Sequence, residues 1–417
     1  MGLAVTNAKL GGTEVGVRCE DGLISAIGPD VEPEPGDEVL DGGGITLAPG
    51  FVNAHTHAGM TLFRGYADDL PLMVWLEQHI WPVEKRMSDE DVYWGTRLAC
   101  VEMIRTGTTW FWDMYWHADA AARAVEDAGI RAVTAAPLID DADPDKSDRA
   151  CDDAERSIAR ISEAGGRLAR AGFAPHAIYS VSQKSLRRLA ERAPELGVPV
   201  QIHLSETQHE VETCLAERGI RPAHYLDECG LLGPDTVLAH GVWLDESELE
   251  LIAERGATVV TNPVANLKLA VGGLFPYLAA RERGVAVGLG TDGPGSNNSL
   301  DLLSDMKVFA LLQKNAASDP AAVTAGETLA LARGECSQLL RRPALEPGAD
   351  ADFLLLRTDS AELSLGELDA GLVYSASGAV VDATVVAGRV LMEGGRVAGA
   401  DEVVAQARER ARGLGLT

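Results

Sequence analysis

The sequence predicts an α/β protein, in which a (β/α)8 TIM-type barrel carries a small β-sandwich domain built from both chain termini. Three observations lead to this prediction. Short apolar runs alternate with amphipathic segments through the middle of the chain, as parallel strands and helices do. Polar residues follow several of these runs, where barrels place their chemistry. Both ends of the 417-residue chain are instead rich in short strands.

The two β-rich ends predict one composite domain, formed by residues 1–47 and 346–417 and completed by a C-terminal helix. Short apolar runs alternate there with glycine and aspartate turns, a pattern typical of strands. The runs lie at residues 3–5, 15–17, 24–27, 351–356, 378–387 and 389–392. Residues 381–395 look like a hairpin closed by glycines. The barrel is then expected over residues 48–345.

Eight barrel strands are expected in chain order, with helices between them. The predicted strands are residues 46–52, 108–114, 131–139, 173–180, 198–204, 236–242, 257–263 and 285–291. The clearest helices are predicted at residues 88–105, 118–128 and 152–171. The interval 59–87 is long for a barrel loop and rich in Trp, Leu and Asp, so we expect a lid over the active site.

The composition of the chain limits the kinds of partner that it can bind. The net charge of −27 opposes contact with nucleic acid or an anionic membrane. Neither a secretory signal nor a run long enough to span a bilayer is found. Six scattered cysteines without a Cys-x-x-Cys pair indicate reduced thiols. We therefore expect a cytoplasmic protein that acts on a small molecule.

Three histidines and an aspartate at the ends of predicted strands predict a metal site. His55 and His57 alternate on an extended chain, so their side chains share one face. His203 and Asp292 end later strands, and the four together suit Zn2+, with Fe2+ or Mn2+ as alternatives. His-x-His alone could also be two hydrogen-bonded core histidines. No lysine follows the fourth strand to bridge two metals, so we expect one divalent ion.

Glu206 and His240 are the predicted catalytic partners of this site, together with Asp292. Glu206 lies three residues after His203, where a carboxylate can lean over the metal and transfer protons. The structural alternative places Glu206 in the first turn of a helix capped by Ser205, and both roles can hold at once. His240 closes the sixth strand, where it would bind a second metal or orient and deprotonate the water of a single one.

Two further residues are candidates for substrate contact. His176 ends the fourth strand and is expected to face the barrel mouth. Trp75, in the lid, could line an apolar part of the pocket or simply pack, as large aromatic residues usually do.

Four segments resemble the amidohydrolase superfamily, and the likeness covers essentially the whole chain. They are residues 49–58, 64–72, 262–269 and 290–301. The most similar branch is that of 5-methylthioadenosine/S-adenosylhomocysteine deaminases, with s-triazine hydrolases and guanine deaminases as relatives. The resemblance implies a metal held by the four predicted ligands, with Glu206 and His240 catalytic. It also implies that Glu84 binds ribose hydroxyls, that His176 contacts substrate and that Arg149 lies near an amino-acid tail.

The activity expected from this resemblance is metal-dependent hydrolytic deamination of an adenosine-type nucleoside, with release of ammonia. Residues 134–136 are Thr-Ala-Ala where this branch often has an arginine, which favours 5-methylthioadenosine or adenosine over S-adenosylhomocysteine. The alternatives are hydrolysis or deamination of another N-heterocycle, such as an s-triazine or guanine, and a metal-free scaffold. By analogy with the family, a homo-oligomer is expected.

Overall fold

The computed structural model describes residues 2–340 and 343–417, and within them the chain folds into a barrel and a mixed sheet. The strands are β1 (Leu3–Leu10), β2 (Thr13–Glu20), β3 (Leu23–Gly28), β4 (Glu38–Asp41), β5 (Thr46–Pro49), β6 (Phe51–Thr56), β7 (Thr108–Met114), β8 (Arg131–Ala135), β9 (Pro137–Leu138), β10 (Ala169–Ala171), β11 (Ala174–Pro175), β12 (Val200–Leu204), β13 (Thr236–His240), β14 (Thr258–Thr261), β15 (Ala286–Leu289), β16 (Phe353–Leu356), β17 (Val381–Val386), β18 (Arg389–Glu393) and β19 (Arg396–Val397).

The helices lie mainly between barrel strands. They are α1 (Leu72–Trp75), α2 (Trp81–Glu84), α3 (Asp89–Arg105), α4 (Ala118–Ala128), α5 (Ser147–Glu163), α6 (Gln183–Leu196), α7 (Gln208–Arg218), α8 (Pro222–Glu228), α9 (Glu246–Arg255), α10 (Pro263–Lys268), α11 (Tyr277–Glu282), α12 (Leu302–Ala317), α13 (Ala325–Ala332), α14 (Leu368–Tyr374) and α15 (Ala400–Leu414).

The barrel has eight strand positions, and all of its pairings are parallel. β6, β7, β8 and β10 form one run, and β12 to β15 form another. β9 and β11 extend the third and fourth positions and pair with each other. Parallel bridges from Phe173 and Ala177 reach the first strand of the second run. The Asp292 amide donates to the His55 carbonyl at 3.0 Å across the last gap. The predicted barrel is therefore confirmed.

Some predicted bounds are wrong, and each has a local cause. The predicted strand 46–52 is two strands, because β5 pairs in the terminal sheet whereas β6 opens the barrel. Gly50 lies between them, where a Cβ would come within 2.2 Å of Thr109 Oγ1. The helix predicted at 152–171 is α5, which is followed by the left-handed Gly165 (φ 66°) and then by β10.

The terminal strands form one mixed sheet in the order β19-β18-β17-β16-β5-β1-β2-β3, with β4 beside β1. Leu23 in β3 bridges to Asp350, which precedes β16, so the sheet curls back on itself. Its strands enclose one apolar core that includes Val17, Phe353 and Val385. This layering agrees with the predicted sandwich, and β17 and β18 form the predicted hairpin. The boundaries of independent folding units, 1–47 with 346–417 and 48–345, stay predictions.

The lid, residues 59–87, is more helical than the predicted loop. It contains a 3-10 segment at its start (Ala58–Phe63), α1, a π-helical turn (Leu76–Ile80) and α2. Its residues Phe63 and Val83 share an apolar cluster with Ala407 and Leu414 of α15. The C-terminal helix therefore packs on the lid and on α3.

Two further expectations concern cysteines and membranes. All six cysteines are free thiols, as predicted. Among the described residues, no helix combines the length and the apolar character that crossing a bilayer requires.

Candidate active site

The carboxyl ends of four barrel strands bring the predicted metal ligands and His240 together. His55 lies at the end of β6 and His57 follows it, His203 lies in β12, and His240 ends β13. Asp292 lies three residues beyond β15. Because parallel barrel strands all end on one face, residues nearly 240 positions apart meet there.

The donor atoms of this cluster converge on one point. Oδ1 of Asp292 lies 3.4 Å from Nε2 of His55 and 3.1 Å from Nε2 of His57. Ligand atoms of His55, His203 and His240 also lie within 4.8 Å of one another. Nε2 of His55 is buried without a hydrogen-bond partner, which is costly unless a cation occupies its lone pair. The nitrogen and oxygen donors therefore fit a zinc-like ion.

A hydrogen bond between Nδ1 and an oxygen atom fixes the orientation of each of the four imidazole rings. Every Nδ1 lies within hydrogen-bond distance of an oxygen: Gln201 Oε1 for His55 (2.8 Å), the Met114 carbonyl for His57 (2.6 Å), the His176 carbonyl for His203 (2.8 Å) and Asn266 Oδ1 for His240 (2.8 Å). An Nδ1 that donates to oxygen leaves the lone pair on Nε2. All four rings are thereby prepared to bind a cation or accept a proton.

The backbone at the strand ends is strained where the site is formed. Ser205, His240 and Asp292 have φ values of 49°, 76° and 60°, in the left-handed region that non-glycine residues rarely adopt. Such conformations cost on the order of 1–3 kcal/mol each and persist only where the surroundings impose them. These sharp turns direct the side chains at the mouth of the barrel.

Glu206 lies beside the cluster, with its Oε2 4.0 Å from Nε2 of His240. Burial, reinforced by the negative charge of Asp292, raises the pKa of Glu206 to about 8. A carboxyl that keeps its proton near neutral pH is suited to protonating a bound substrate. The alternative role of Glu206, in the first turn of a helix capped by Ser205, is wrong. The N-cap of α7 is Thr207, so Glu206 precedes the helix.

A cavity opens above this cluster, at the carboxyl ends of the strands where barrels place their small-molecule sites. His57, His203, Glu206, His240 and Asp292 form its floor. The lid contributes apolar walls through Leu72, Trp75, Leu76 and Trp81. Trp75 is therefore both buried and exposed to the cavity, which fits the two interpretations open from the sequence.

Glu84, at the end of α2, also lines the cavity. Its Oε2 accepts a hydrogen bond of 3.1 Å from Nε1 of Trp116, while the hydroxyl of the neighbouring Tyr115 donates to Sδ of Met87 at 3.5 Å. Burial raises the pKa of Glu84, although the Trp116 hydrogen bond opposes the shift. Tyr115 and Trp116 were not predicted as site residues, although both follow β7 directly at the carboxyl end of a barrel strand.

His176 lines the cavity as expected. Its Nδ1 lies 2.8 Å from Oγ of Ser180, and its carbonyl holds His203. Burial, followed by the nearby His57 and His240, lowers the pKa of His176 to about 4. The ring is therefore neutral and can donate or accept one hydrogen bond.

The structure does not bring Arg149 to the cavity, which corrects the implied contact. Its side chain is 91% exposed and lies 3.8 Å from Asp153. The reason is that α5 begins at Ser147, so Arg149 lies in the first turn of an outer helix. Among the described residues, no arginine or lysine lines the cavity.

Comparison with known proteins agrees with this geometry. Residues 46–391 match the model of the amidohydrolase family. The chain is 44% identical over 413 residues to a 5'-deoxyadenosine deaminase of Methanoregula boonei, covering 97% of this chain and 93% of that protein. It is 40% identical over 422 residues to 5-methylthioadenosine/S-adenosylhomocysteine deaminase 1 of Archaeoglobus fulgidus, covering 99% of each.

A solved structure shows the same architecture. The zinc-bound adenosine deaminase of Xanthomonas campestris superimposes with a TM-score of 0.90 at 33% identity, covering 100% of this chain and 98% of that one. With most of its length matched by the family model and by relatives of this identity, the chain belongs to the amidohydrolase family.

Proposed function

We propose that the chain is a metal-dependent hydrolytic deaminase of adenosine-type nucleosides. The observation that carries this proposal is the convergence of four inward-turned imidazoles and Asp292 beside the buried Glu206, on the floor of a cavity. The relatives named for deamination of 5'-deoxyadenosine, 5-methylthioadenosine and adenosine support the same reaction.

His55, His57, His203 and Asp292 would hold one divalent ion, for which we propose Zn2+. The donor set and the zinc of the Xanthomonas campestris enzyme support this choice, while Fe2+ or Mn2+ would accept the same ligands. When bound, such an ion supplies Lewis acidity that brings the pKa of water toward neutrality.

In the proposed reaction, water replaces the exocyclic amine of adenine. Asp292 and His240 take a proton from the attacking water and orient it toward the ring carbon that bears the amine. Glu206 donates its proton to the adjacent ring nitrogen, so that negative charge does not build up on the purine. Glu206 then recovers a proton from the new hydroxyl as the carbon–nitrogen bond breaks. The amine leaves as ammonia with the proton first taken from water.

Glu84 and His176 are the proposed groups for substrate recognition. A buried carboxylate placed to accept ribose hydroxyls penalises ligands that lack them. The absence of arginine and lysine among the described lining residues supports small uncharged 5' groups over the amino-acid tail of S-adenosylhomocysteine. We therefore propose 5'-deoxyadenosine, 5-methylthioadenosine and adenosine as the preferred substrates.

The experiment that tests this function is a substrate panel with zinc-loaded enzyme. Ammonia release and the ultraviolet shift from adenine to hypoxanthine are measured for the three nucleosides, S-adenosylhomocysteine, guanine and a chlorotriazine. We expect turnover of the nucleosides, and a lower kcat/KM for S-adenosylhomocysteine. Activity on a bare ring alone would replace the nucleoside by another N-heterocycle. No turnover with zinc, iron or manganese would favour the metal-free scaffold.

Three expectations about context complete the proposal. Location in the cytoplasm and assembly into a homo-oligomer stay predictions. The net charge of −27 supports the absence of a nucleic-acid partner.

A further inference from the structure

We propose that Glu210 is a positioning residue that acts through Glu206. Its carboxylate holds the backbone that carries Glu206 and thereby aims the proton donor at the substrate. This inference rests on the proposed deaminase function, and it adds a residue that does not touch the cavity.

The geometry is a carboxylate that accepts from two successive amides. The Ser205 amide donates to Oε1 of Glu210 at 3.0 Å, and the Glu206 amide donates to Oε2 at 3.0 Å. Glu210 is only 5% exposed, so both hydrogen bonds are shielded from water. In such a place, an amide that loses its acceptor costs about 1–3 kcal/mol.

The arrangement differs from an ordinary helix start. Thr207 is the N-cap of α7, and its side chain accepts from the Glu210 amide at 3.2 Å. In a capping box, the acidic residue at this position returns its carboxylate to the N-cap amide. Glu210 instead reaches past Thr207 to the two preceding residues. Its side chain therefore stabilises the turn that precedes the helix and does not cap the helix itself.

The turn held by Glu210 contains Ser205, one of the three strained residues of the site. Ser205 has a φ of 49°, which a serine adopts only under constraint. Its amide is held by Glu210, and its carbonyl accepts from the Trp243 amide at 2.9 Å, just beyond His240. The turn is thus fixed on both sides. Because the next residue is Glu206, a relaxation of the turn would displace the Glu206 carboxyl.

The test compares Glu210→Gln with Glu217→Gln, an exposed position on the same helix. Glutamine offers one oxygen and presents an NH2 group to the second amide. We expect zinc content to stay unchanged and KM to stay within about twofold. We expect kcat per bound zinc to fall about 10- to 100-fold, since a misplacement of about 1 Å can cost that much. Glu217→Gln should match the unchanged enzyme.

A second variant and a second readout keep the proposal decidable. Glu210→Asp retains the carboxyl group but withdraws both oxygens, so kcat should fall there too. In either variant, hydrogen exchange of the peptide containing the Ser205 and Glu206 amides should become faster, whether or not a substrate is known. Unchanged exchange, or a loss confined to Tm or zinc content with normal kcat per zinc, would overturn the proposal. Lack of nucleoside turnover in the unchanged enzyme would instead count against the proposed function.

Discussion

Each imidazole of the metal cluster has one oxygen atom within hydrogen-bond distance of its Nδ1. For His55 this oxygen belongs to Gln201, whose Nε2 is in turn fixed by the Ala54 carbonyl at 3.0 Å. Gln201 lies two residues before His203 in β12, so both side chains point to the same side of the strand. One short strand therefore supplies both a ligand and the support of another ligand.

Replacing Gln201 tests this support. Gln201→Met keeps the length of the side chain but removes the acceptor, so the His55 ring loses its fixed tautomer. We expect zinc affinity, measured by competition with a chromogenic chelator, to fall about 10- to 100-fold. Gln208→Met, at an exposed position, is the matched control and should bind zinc normally. Equal affinity in both variants would show that Gln201 only packs.

Glu206 separates catalysis from metal binding. Glu206→Gln preserves the shape of the side chain but cannot exchange a proton with the ring nitrogen. We expect full zinc content by elemental analysis and a kcat lowered about 100- to 10,000-fold, the usual contribution of a general acid–base group. Glu212→Gln on the exposed face of α7 is the control. A variant at 206 that keeps its activity would remove this residue from the mechanism.

The candidate metal ligands and catalytic residues at strand ends could be predicted from the sequence. The residues that orient them through hydrogen bonds could not. His55, Glu206 and Asp292 stand out because their side chains can bind a metal or transfer a proton and they lie at or just after the ends of predicted strands. Gln201 and Asn266 look like any other amide, since their role exists only in contacts between distant segments. The contact of Arg149 was implied by the family resemblance alone, and the residue lies instead in the first turn of α5, on the outer surface.

At the scale of elements, the lid packs against α15. Leu414 is buried against lid residues, and its carbonyl accepts from Nη2 of Arg86 at 3.1 Å. Arg86 lies two residues after Glu84, so the C-terminal helix contacts the segment that carries the proposed ribose contact. The lid is therefore held by a contact with α15, a helix more than 300 residues later in the chain.

Shortening Leu414 should loosen the lid. Leu414→Ala removes buried methyl groups, so we expect a loss of about 2–5 kcal/mol in the free energy of unfolding. Hydrogen exchange over residues 76–87 should become faster, and KM for nucleosides should rise while zinc content stays constant. Leu311→Ala, 49% exposed, is the control and should change little. Normal lid exchange in Leu414→Ala would mean that α15 does not restrain the lid.

Element bounds follow from local signals where these exist. Ser88 caps α3 with a full capping box, so its start was predictable from the sequence. The break between β5 and β6 was not, because an apolar run does not reveal that its two halves pair in different sheets. The helical turns of the lid were also missed, since their apolar residues face the cavity and α15 without a regular period.

At the scale of the whole molecule, the metal cluster joins the first and the last strand of the barrel. Its residues come from the first, fifth, sixth and last strand positions, and Asp292 also bonds through its backbone to His55 where the barrel closes. The fold class was predictable because alternation of strands and helices is encoded in every segment. The closure itself depends on contacts between residues far apart in sequence, which no local pattern contains.

A cation bound at this seam should stabilise the entire barrel, because the unfolded chain does not hold the ligands together. At a free zinc concentration 100 times Kd, binding adds about 2.7 kcal/mol to the free energy of unfolding. We expect a strong chelator to lower Tm and zinc to restore it. Calcium should not restore it, since that ion prefers a larger set of oxygen ligands.

His203→Ala is the control for this last prediction. It removes one ligand, so the Tm of the variant should respond weakly to both chelator and zinc. A variant that responds as strongly as the unchanged chain would place the stabilising zinc elsewhere. If instead the unchanged chain kept its Tm in chelator after loss of zinc was verified by elemental analysis, the seam would be closed by its own hydrogen bonds. The ion would then serve the chemistry and not the fold.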